Sequence, residues 1–254
     1  MRSEQITQVG SALSRARRLA RPRNIDLRWI GSMQEAQEVQ DAAGEAYDAV
    51  IRGYTLAATS AATARLLNCS TPVVGKLFDE HLFDSGARID LPYSMLGVGA
   101  QFIFVIGSPL LSPTTLRMVL DSIVSCHLGI QLLGRRVKHT IPLNEWSATA
   151  DFALDVGCVR GPRIDDWDRI ELENTEVWLE LNGHRITAGR GLDVLGSPIA
   201  AVVWLSRFLI ARGVTLQAGD MVATGSCTGV AQVAPRQRVC AVFDRLGDVE
   251  LDLQ

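Results

Sequence analysis

Through AQEVQDAAGEAYDAV the apolar positions Ala36, Val39, Ala43, Ala46 and Val50 return every three to four residues, which places them on one face of a helix. Ser32 followed by Glu35 gives that helix a capping-box start. The spacing predicts mainly helical structure over the first sixty residues. Beyond Gly53 the texture changes. GYTLAATS and LLNCSTPVVGKLFDEHLF interrupt short apolar runs with Gly, Pro, Ser and Thr, which predicts loops and short elements around a pocket.

From Gly97 onward the pattern is that of strands. GVGAQFIFVIG is β-branched and aromatic and apolar on both faces, as a central buried strand is. Ser112-Pro113 then opens a helix with Leu116, Val119, Leu120 and Ile123 on one side, and HLGIQLLG reads as a second apolar strand. Asn182-Gly183 joins two strand-like runs in EVWLELNGHRITAG, a strong hairpin signal. Ser197-Pro198 starts a further helix, PIAAVVWLSRFLIARG. DMVATG and a hairpin through RVCAVFDRLGDVELDL close the chain. This order predicts an α+β body built on a mixed, curled sheet with peripheral helices. No linker-like tract interrupts it, so one domain over residues 1–254 is expected, with 1–60 helical and 61–254 a β-rich core carrying the pocket.

Composition narrows the partners. At 254 residues and 47% apolar the chain can bury a large core, and a net charge of −3 gives no electrostatic reason to expect nucleic acid or an anionic membrane. The N-terminal MRSEQITQVGSALSRARRLA has arginines but no continuous apolar run, and no stretch elsewhere reaches about 18 uncharged apolar residues. A cytoplasmic protein is expected. The five cysteines, Cys69, Cys126, Cys158, Cys227 and Cys240, are widely spaced and form no metal-ligand cluster with the four histidines. They read as reduced, mostly buried thiols. His127, His139 and His184 read as structural, RGPRIDDWDR as a solvated surface loop, and GRGLDVLG is not a dinucleotide fingerprint, since it follows no strand of a βαβ unit.

The segment GRGLDVLGSPIAAVVWLSRFLIARGVTLQAGDMVATGS, residues 189–226, resembles the C-terminal signature of 2-keto-4-pentenoate hydratases and 4-oxalocrotonate decarboxylases, relatives of fumarylacetoacetate hydrolase. SMQEAQEVQ, GYTLAATS, VGKLFDEHLF, LGVGAQFIFVIG, GIQLLGRRV and TADFALDVG match in family order over roughly residues 30–254. The resemblance implies a mixed β-roll or barrel-like core with peripheral helices. It also implies a Mg²⁺ or Mn²⁺ ion that chelates a 2-keto acid and stabilises its enolate.

The family's two glutamates of an ExE strand match Gly99 and Gln101, and a third matches Gln131. A hard dication needs anionic oxygen ligands, so no metal and no cofactor are expected here. The family lysine matches Thr55, an aspartate matches Val73, and an asparagine matches Phe152, while Asp151 is kept. Gln101 and Gln131 have amide donors to offer a carbonyl oxygen, and Asp151 is a general acid or base if its apolar neighbours raise its pKa. These three are the candidate catalytic residues. Against them stand structural readings: glutamines bonded to each other or to backbone, and an aspartate capping a turn. Tyr54, Thr55, Ser60, Lys76, Glu80, Phe152 and Thr224 are the candidate substrate contacts. Thr59 shares the hydroxyl-rich turn, and Lys76 with Glu80 also reads as a solvated ion pair. Phe102, Phe104 and Phe152 are expected to refit the old metal cavity for a larger or less anionic substrate.

Three functions fit: a metal-independent hydratase-like lyase, isomerase or cyclase acting on a conjugated keto, enol or dicarbonyl compound; a non-catalytic partner subunit of an active homologue; or a small-molecule binding protein. The first is the expected one. A homo-oligomer is expected, as relatives form, and the second reading adds association with a homologous active subunit.

Overall fold

The computed structural model describes residues 2–112 and 114–254. Two helices open the chain, α1 (Arg2–Arg18) and α2 (Met33–Tyr47). Ser32 Oγ accepts from the Glu35 N–H at 3.2 Å, while the Glu35 carboxylate accepts from Gly31 N–H at 2.9 Å, so the predicted capping box is displaced by one residue on its return arm. Asp48 in the left-handed conformation ends α2. Val50 therefore lies beyond the helix and is exposed, contrary to the periodic reading.

The helical part also ends earlier than residue 60. Strand β1 (Ile51–Ala57) begins three residues after the cap, so GYTLA is a strand and not a loop. Then come α3 (Ala61–Leu67), β2 (Val73–Phe78), β3 (Leu82–Asp84), β4 (Ala87–Ile89) and β5 (Met95–Ile106). The helix expected to open at Ser112-Pro113 begins later. Thr115 caps α4 (Leu116–Ser122), and Ile123 already starts β6 (Ile123–Gly134); Pro113 lies outside the described residues. The chain continues through α5 (Glu145–Ala150), β7 (Asp155–Ile164), β8 (Glu176–Leu181), β9 (His184–Arg190), α6 (Pro198–Ile210), β10 (Met221–Ala223), β11 (Arg238–Phe243) and β12 (Gly247–Leu253). RGPRI, expected in a surface loop, is the end of β7, and Trp167 beyond it is buried against Phe104.

Two sheets form the α+β body expected from the sequence. One runs β2-β1-β10-β5-β6-β7-β3, and it curls so that β2 touches β7; the other runs β4-β12-β11-β8-β9. Asn182 and Gly183, both at positive φ, make the predicted turn between β8 and β9. Alternation along β5 sends Ala100, Phe102 and Phe104 to the face shared with the second sheet, where Phe102 meets Phe243 edge-on at 5.2 Å. Gly99, Gln101 and Ile103 face the interior of the curl. Phe102 and Phe104 are thus walls of the inter-sheet core, and the expectation that they refit the old metal cavity is corrected.

Helix α6 buries Ala201, Val202, Leu205 and Leu209 in that core. The stretch Gly191–Ile210 has the length and apolar composition of a membrane span, but it carries Asp193 and Arg207, is a short turn followed by the 13-residue α6, and packs one face on the core. Four of the five cysteines are buried and Cys240 is half-buried, all as free thiols.

Candidate functional site

The positions that the resemblance gives to metal ligands come together inside the curled sheet. Gly99 of β5 pairs with Gln131 of β6, which pairs with Cys158 of β7. Gln101 and Thr55 are fully buried there, and Gln131 is 1% exposed. The two glutamines do not bond each other. Gln101 donates from Nε2 to Cys158 Sγ at 3.3 Å and accepts from Gly225 N–H at 3.3 Å. Gln131 donates from Nε2 to Leu56 O at 2.7 Å and to Thr55 Oγ1 at 3.3 Å, and its Oε1 has no partner.

A divalent ion does not fit these residues. The donors are neutral amides and a hydroxyl, all but Gln131 Oε1 already bonded within the protein, where Mg²⁺ or Mn²⁺ needs carboxylates to offset dehydration. Space is missing as well. A Cβ on Gly99 would stand 2.4 Å from Ser226 Oγ and 2.7 Å from Gly229 O, so no longer side chain enters without moving Ser226 or the backbone behind it. Burial pushes the thiol of Cys158 far above its ordinary pKa, so it offers no thiolate.

Asp151 lies elsewhere, in a buried ion pair with Arg136. Its Oδ2 accepts from Arg136 N–H at 2.9 Å, its Oδ1 accepts from Arg136 Nε, and its backbone oxygen accepts from Arg136 Nη2 at 2.7 Å. Burial raises its carboxyl pKa, opposed by the guanidinium of Arg136. Both oxygens are occupied, and Asp151 caps α5, which is the structural reading of this residue. Phe152, Ala153 and Leu154 follow with φ of 55°, 54° and 61°, a left-handed turn of three non-glycine residues that costs about 1–2 kcal/mol each. The Phe152 carbonyl packs on Gly75 of β2, where a Cβ would stand 2.2 Å from it. The Phe152 ring points into the helical side, against Phe78 at 5.7 Å and beneath the Arg17 guanidinium at 5.1 Å. It is a core residue of that side.

The remaining candidate contacts scatter. Tyr54 lies on the opposite face of β1 from Thr55, half-buried against the main core, and burial raises its phenol pKa. Ser60 caps α3 in a reciprocal box with Thr63. Lys76 Nζ pairs with Asp41 Oδ1 of α2 at 2.9 Å, which corrects its expected partnership with Glu80. Glu80 instead accepts from the Tyr47 hydroxyl. Thr224 is fully buried, and its Oγ1 accepts from Phe102 N–H at 3.3 Å. Of the ten candidates, Gln101, Gln131, Thr55 and Thr224 are thus packed in or beside the curl, while Asp151, Tyr54, Ser60, Lys76, Glu80 and Phe152 serve caps, pairs and cores outside it.

The sequence reading missed Arg17. It is 5% exposed and lies on the buried stripe of α1 with Gly10, Leu13 and Ala16, a helical periodicity that would have found it. Its guanidinium donates to Asp155 O at 2.7 Å and Oδ2 at 3.0 Å, and stands 3.4 Å from His81 Nδ1. Burial pulls its pKa down to about 10. Beside it, Arg17, His81, Phe83, Ser94, Leu132, Arg136 and Val156 border a cavity of about 330 Å³ on the outer side of the curl.

A family model described as fumarylacetoacetate (FAA) hydrolase C-terminal matches residues 44–253. The 4-oxalocrotonate decarboxylase of Pseudomonas putida is 27% identical over 213 residues, covering 78% of this chain and 76% of that protein. The 2-keto-4-pentenoate hydratase of Paraburkholderia xenovorans (strain LB400) is 27% identical over 211 residues, covering 80% and 76%. A solved 4-oxalocrotonate decarboxylase from Pseudomonas putida G7, complexed with magnesium and adipate, shares the fold with a TM-score of 0.90 at 24% identity, over 99% of this chain and 98% of that one. With the family model spanning most of its length and the same fold from end to end, the chain belongs to the fumarylacetoacetate hydrolase family.

Proposed function

We propose that this chain is a metal-independent enzyme of hydratase or isomerase type acting on a small, weakly charged keto, enol or dicarbonyl compound. The observation that carries this reading is the interior of the curl, where Gly99, Gln101 and Gln131 place no anionic ligand, and Gly99 abuts Ser226. Named relatives are hydratases and decarboxylases, which supports a reaction of that class in a pocket of different electrostatics. Without a cation, a keto acid dianion has no counter-charge in the curl, and the unpaired Gln131 Oε1 favours a ligand that brings a hydrogen-bond donor, such as an enol hydroxyl. A cytoplasmic location belongs to this reading.

The test follows the ultraviolet absorbance of 2-hydroxypenta-2,4-dienoate and its methyl ester with added Mg²⁺ and with EDTA in parallel. Turnover of the ester that is unchanged by EDTA supports the reading. Turnover of either compound that appears only with Mg²⁺ sinks it.

A second reading, a partner subunit joined to copies of itself or to an active homologue, is favoured by one observation. The outward face of α6 presents Ile199, Val203, Trp204 and Phe208, with Leu116 beside them, around an open groove of about 900 Å³. Trp204 and Phe208 stack there at 5.2 Å. An apolar face of this kind marks an interaction surface, and Glu173 and Arg207 on its border supply the two charges that a symmetric pairing would match.

A further inference from the structure

The cavity beside Arg17 lies outside the sheet interior, and its walls are chemically specific. Phe83, Ile89, Pro92, Leu132 and Val156 make it apolar, and the polar groups on it are few. A largely apolar hollow with a few fixed polar groups is the usual form of a small-molecule site, and about 330 Å³ lies within the usual size range.

The polar groups divide into committed and uncommitted ones. Arg136 spends its donors on Asp151, Asp155 O and Gly134 O. Arg17 is paired with Asp155 through its two terminal nitrogens, and its buried Nε has no partner among the described residues. These two buried pairs cancel in charge, and Asp90, exposed at the rim, adds a negative one. The lining together with the carboxylates buried behind it carries no net positive charge, which disfavours a carboxylate or phosphate.

His81 and Ser94 are uncommitted. A guanidinium can only donate, so the 3.4 Å contact from Arg17 Nη2 makes His81 Nδ1 the acceptor, and in the neutral ring the proton resides on Nε2. The ring is held neutral: burial, Arg17 and Arg136 push its pKa down to about 3, and the Glu80 carboxylate, 3.8 Å from Nδ1, is too far to bond it. Ser94 is 5% exposed, and its hydroxyl makes no hydrogen bond among the described residues. The cavity therefore offers an N–H donor and a free hydroxyl among apolar walls.

We propose that this cavity binds an uncharged small molecule with an apolar body and a carbonyl oxygen, with the His81 ring N–H and the Ser94 hydroxyl as the donors available to that oxygen. This site is separate from the sheet interior, and its test reads binding alone, so it stands or falls independently of turnover.

The probe is 4-methylacetophenone, compared with its carboxylate counterpart 4-methylbenzoate and its apolar counterpart p-cymene. Affinities are measured on the full chain by following backbone amide resonances in ¹H–¹⁵N spectra. The expected result is that the ketone binds at least tenfold tighter than the other two and shifts resonances of residues around Phe83, Ser94 and Val156. Ser94→Ala and His81→Phe should each weaken it by roughly threefold to tenfold, the loss of one hydrogen bond. Val156→Phe should abolish it by filling the hollow, with Ala20→Phe at the rim as the alternative block should the first variant misfold. Equal or tighter binding of the benzoate or of p-cymene overturns the proposal. So does ketone binding that survives both blocks, or no binding of the ketone.

Discussion

Gly99 and Ser226 are in contact across the interior of the curled sheet, so close that a Cβ on Gly99 would stand 2.4 Å from the serine oxygen. The position that the resemblance matches to a family glutamate is one where a serine and a backbone carbonyl fill the space. Gly99→Ala is expected to destabilise the fold by about 1–3 kcal/mol through overpacking. Adding Ser226→Gly should recover part of that loss. Urea denaturation of the two variants checks the pair, and a Gly99→Ala protein as stable as the parent would show that the contact relaxes freely.

The buried pair Arg136–Asp151 anchors the left-handed turn of residues 152–154. Removing one partner strands a charge, so Asp151→Ala should cost about 3–5 kcal/mol. The double variant Asp151→Ala/Arg136→Met should be less destabilised than Asp151→Ala alone, because no buried charge is left unpaired. A purely catalytic aspartate would give the opposite pattern: lost activity with stability unchanged.

His81 gives the fold a pH dependence of known sign. Its folded pKa is lowered to about 3, against about 6.5 in the unfolded chain. The unfolded state therefore binds the extra proton between these values, and stability falls as pH drops through that window. Arg17 and Arg136 face the ring and oppose its protonation, Tyr47 stacks on it at 6.3 Å, Glu80 stands 3.8 Å away, and Asp155 lies behind Arg17. Going from pH 7.5 to pH 5 should cost about 2 kcal/mol. Comparing urea midpoints at the two pH values for the parent and for His81→Phe tests this, since the variant should lose that part of the slope.

The half-buried apolar face of α6 makes a prediction about assembly. Trp204→Glu and Phe208→Glu place a charge in the middle of the groove and should shift the protein to a smaller species in analytical ultracentrifugation, leaving the fold intact. A parent that sediments as a monomer, alone and when mixed with an intact homologue, would remove the partner-subunit reading.

The fold was legible in the sequence because alternation and hairpin chemistry are local: Asn182-Gly183 and the apolar run of β5 announce themselves. Boundaries were less legible. Val50 continued the helical period of α2, yet Asp48 stops the helix by adopting a left-handed cap that periodicity does not register. That Gly99, Gln101 and Gln131 are not carboxylates was readable directly from the sequence. What filled their space was not, because Ser226 is 127 positions from Gly99 and meets it only through the pairing of distant strands. Asp151 misled for a related reason, since its partner Arg136 is buried by tertiary contacts and reads in sequence as an ordinary basic residue after a strand. The Arg17 stripe was present in the helical period of α1 and passed over because an arginine seldom lies on a buried face.

The central claim is that the interior of the curl holds no divalent ion, and titrating the purified, EDTA-treated and desalted protein with Mn²⁺ tests it most directly, with the free ion counted by electron paramagnetic resonance. The account predicts no stoichiometric site at micromolar to millimolar Mn²⁺, and no change on introducing Gln101→Leu. A single tight site that the Gln101→Leu substitution removes would contradict it.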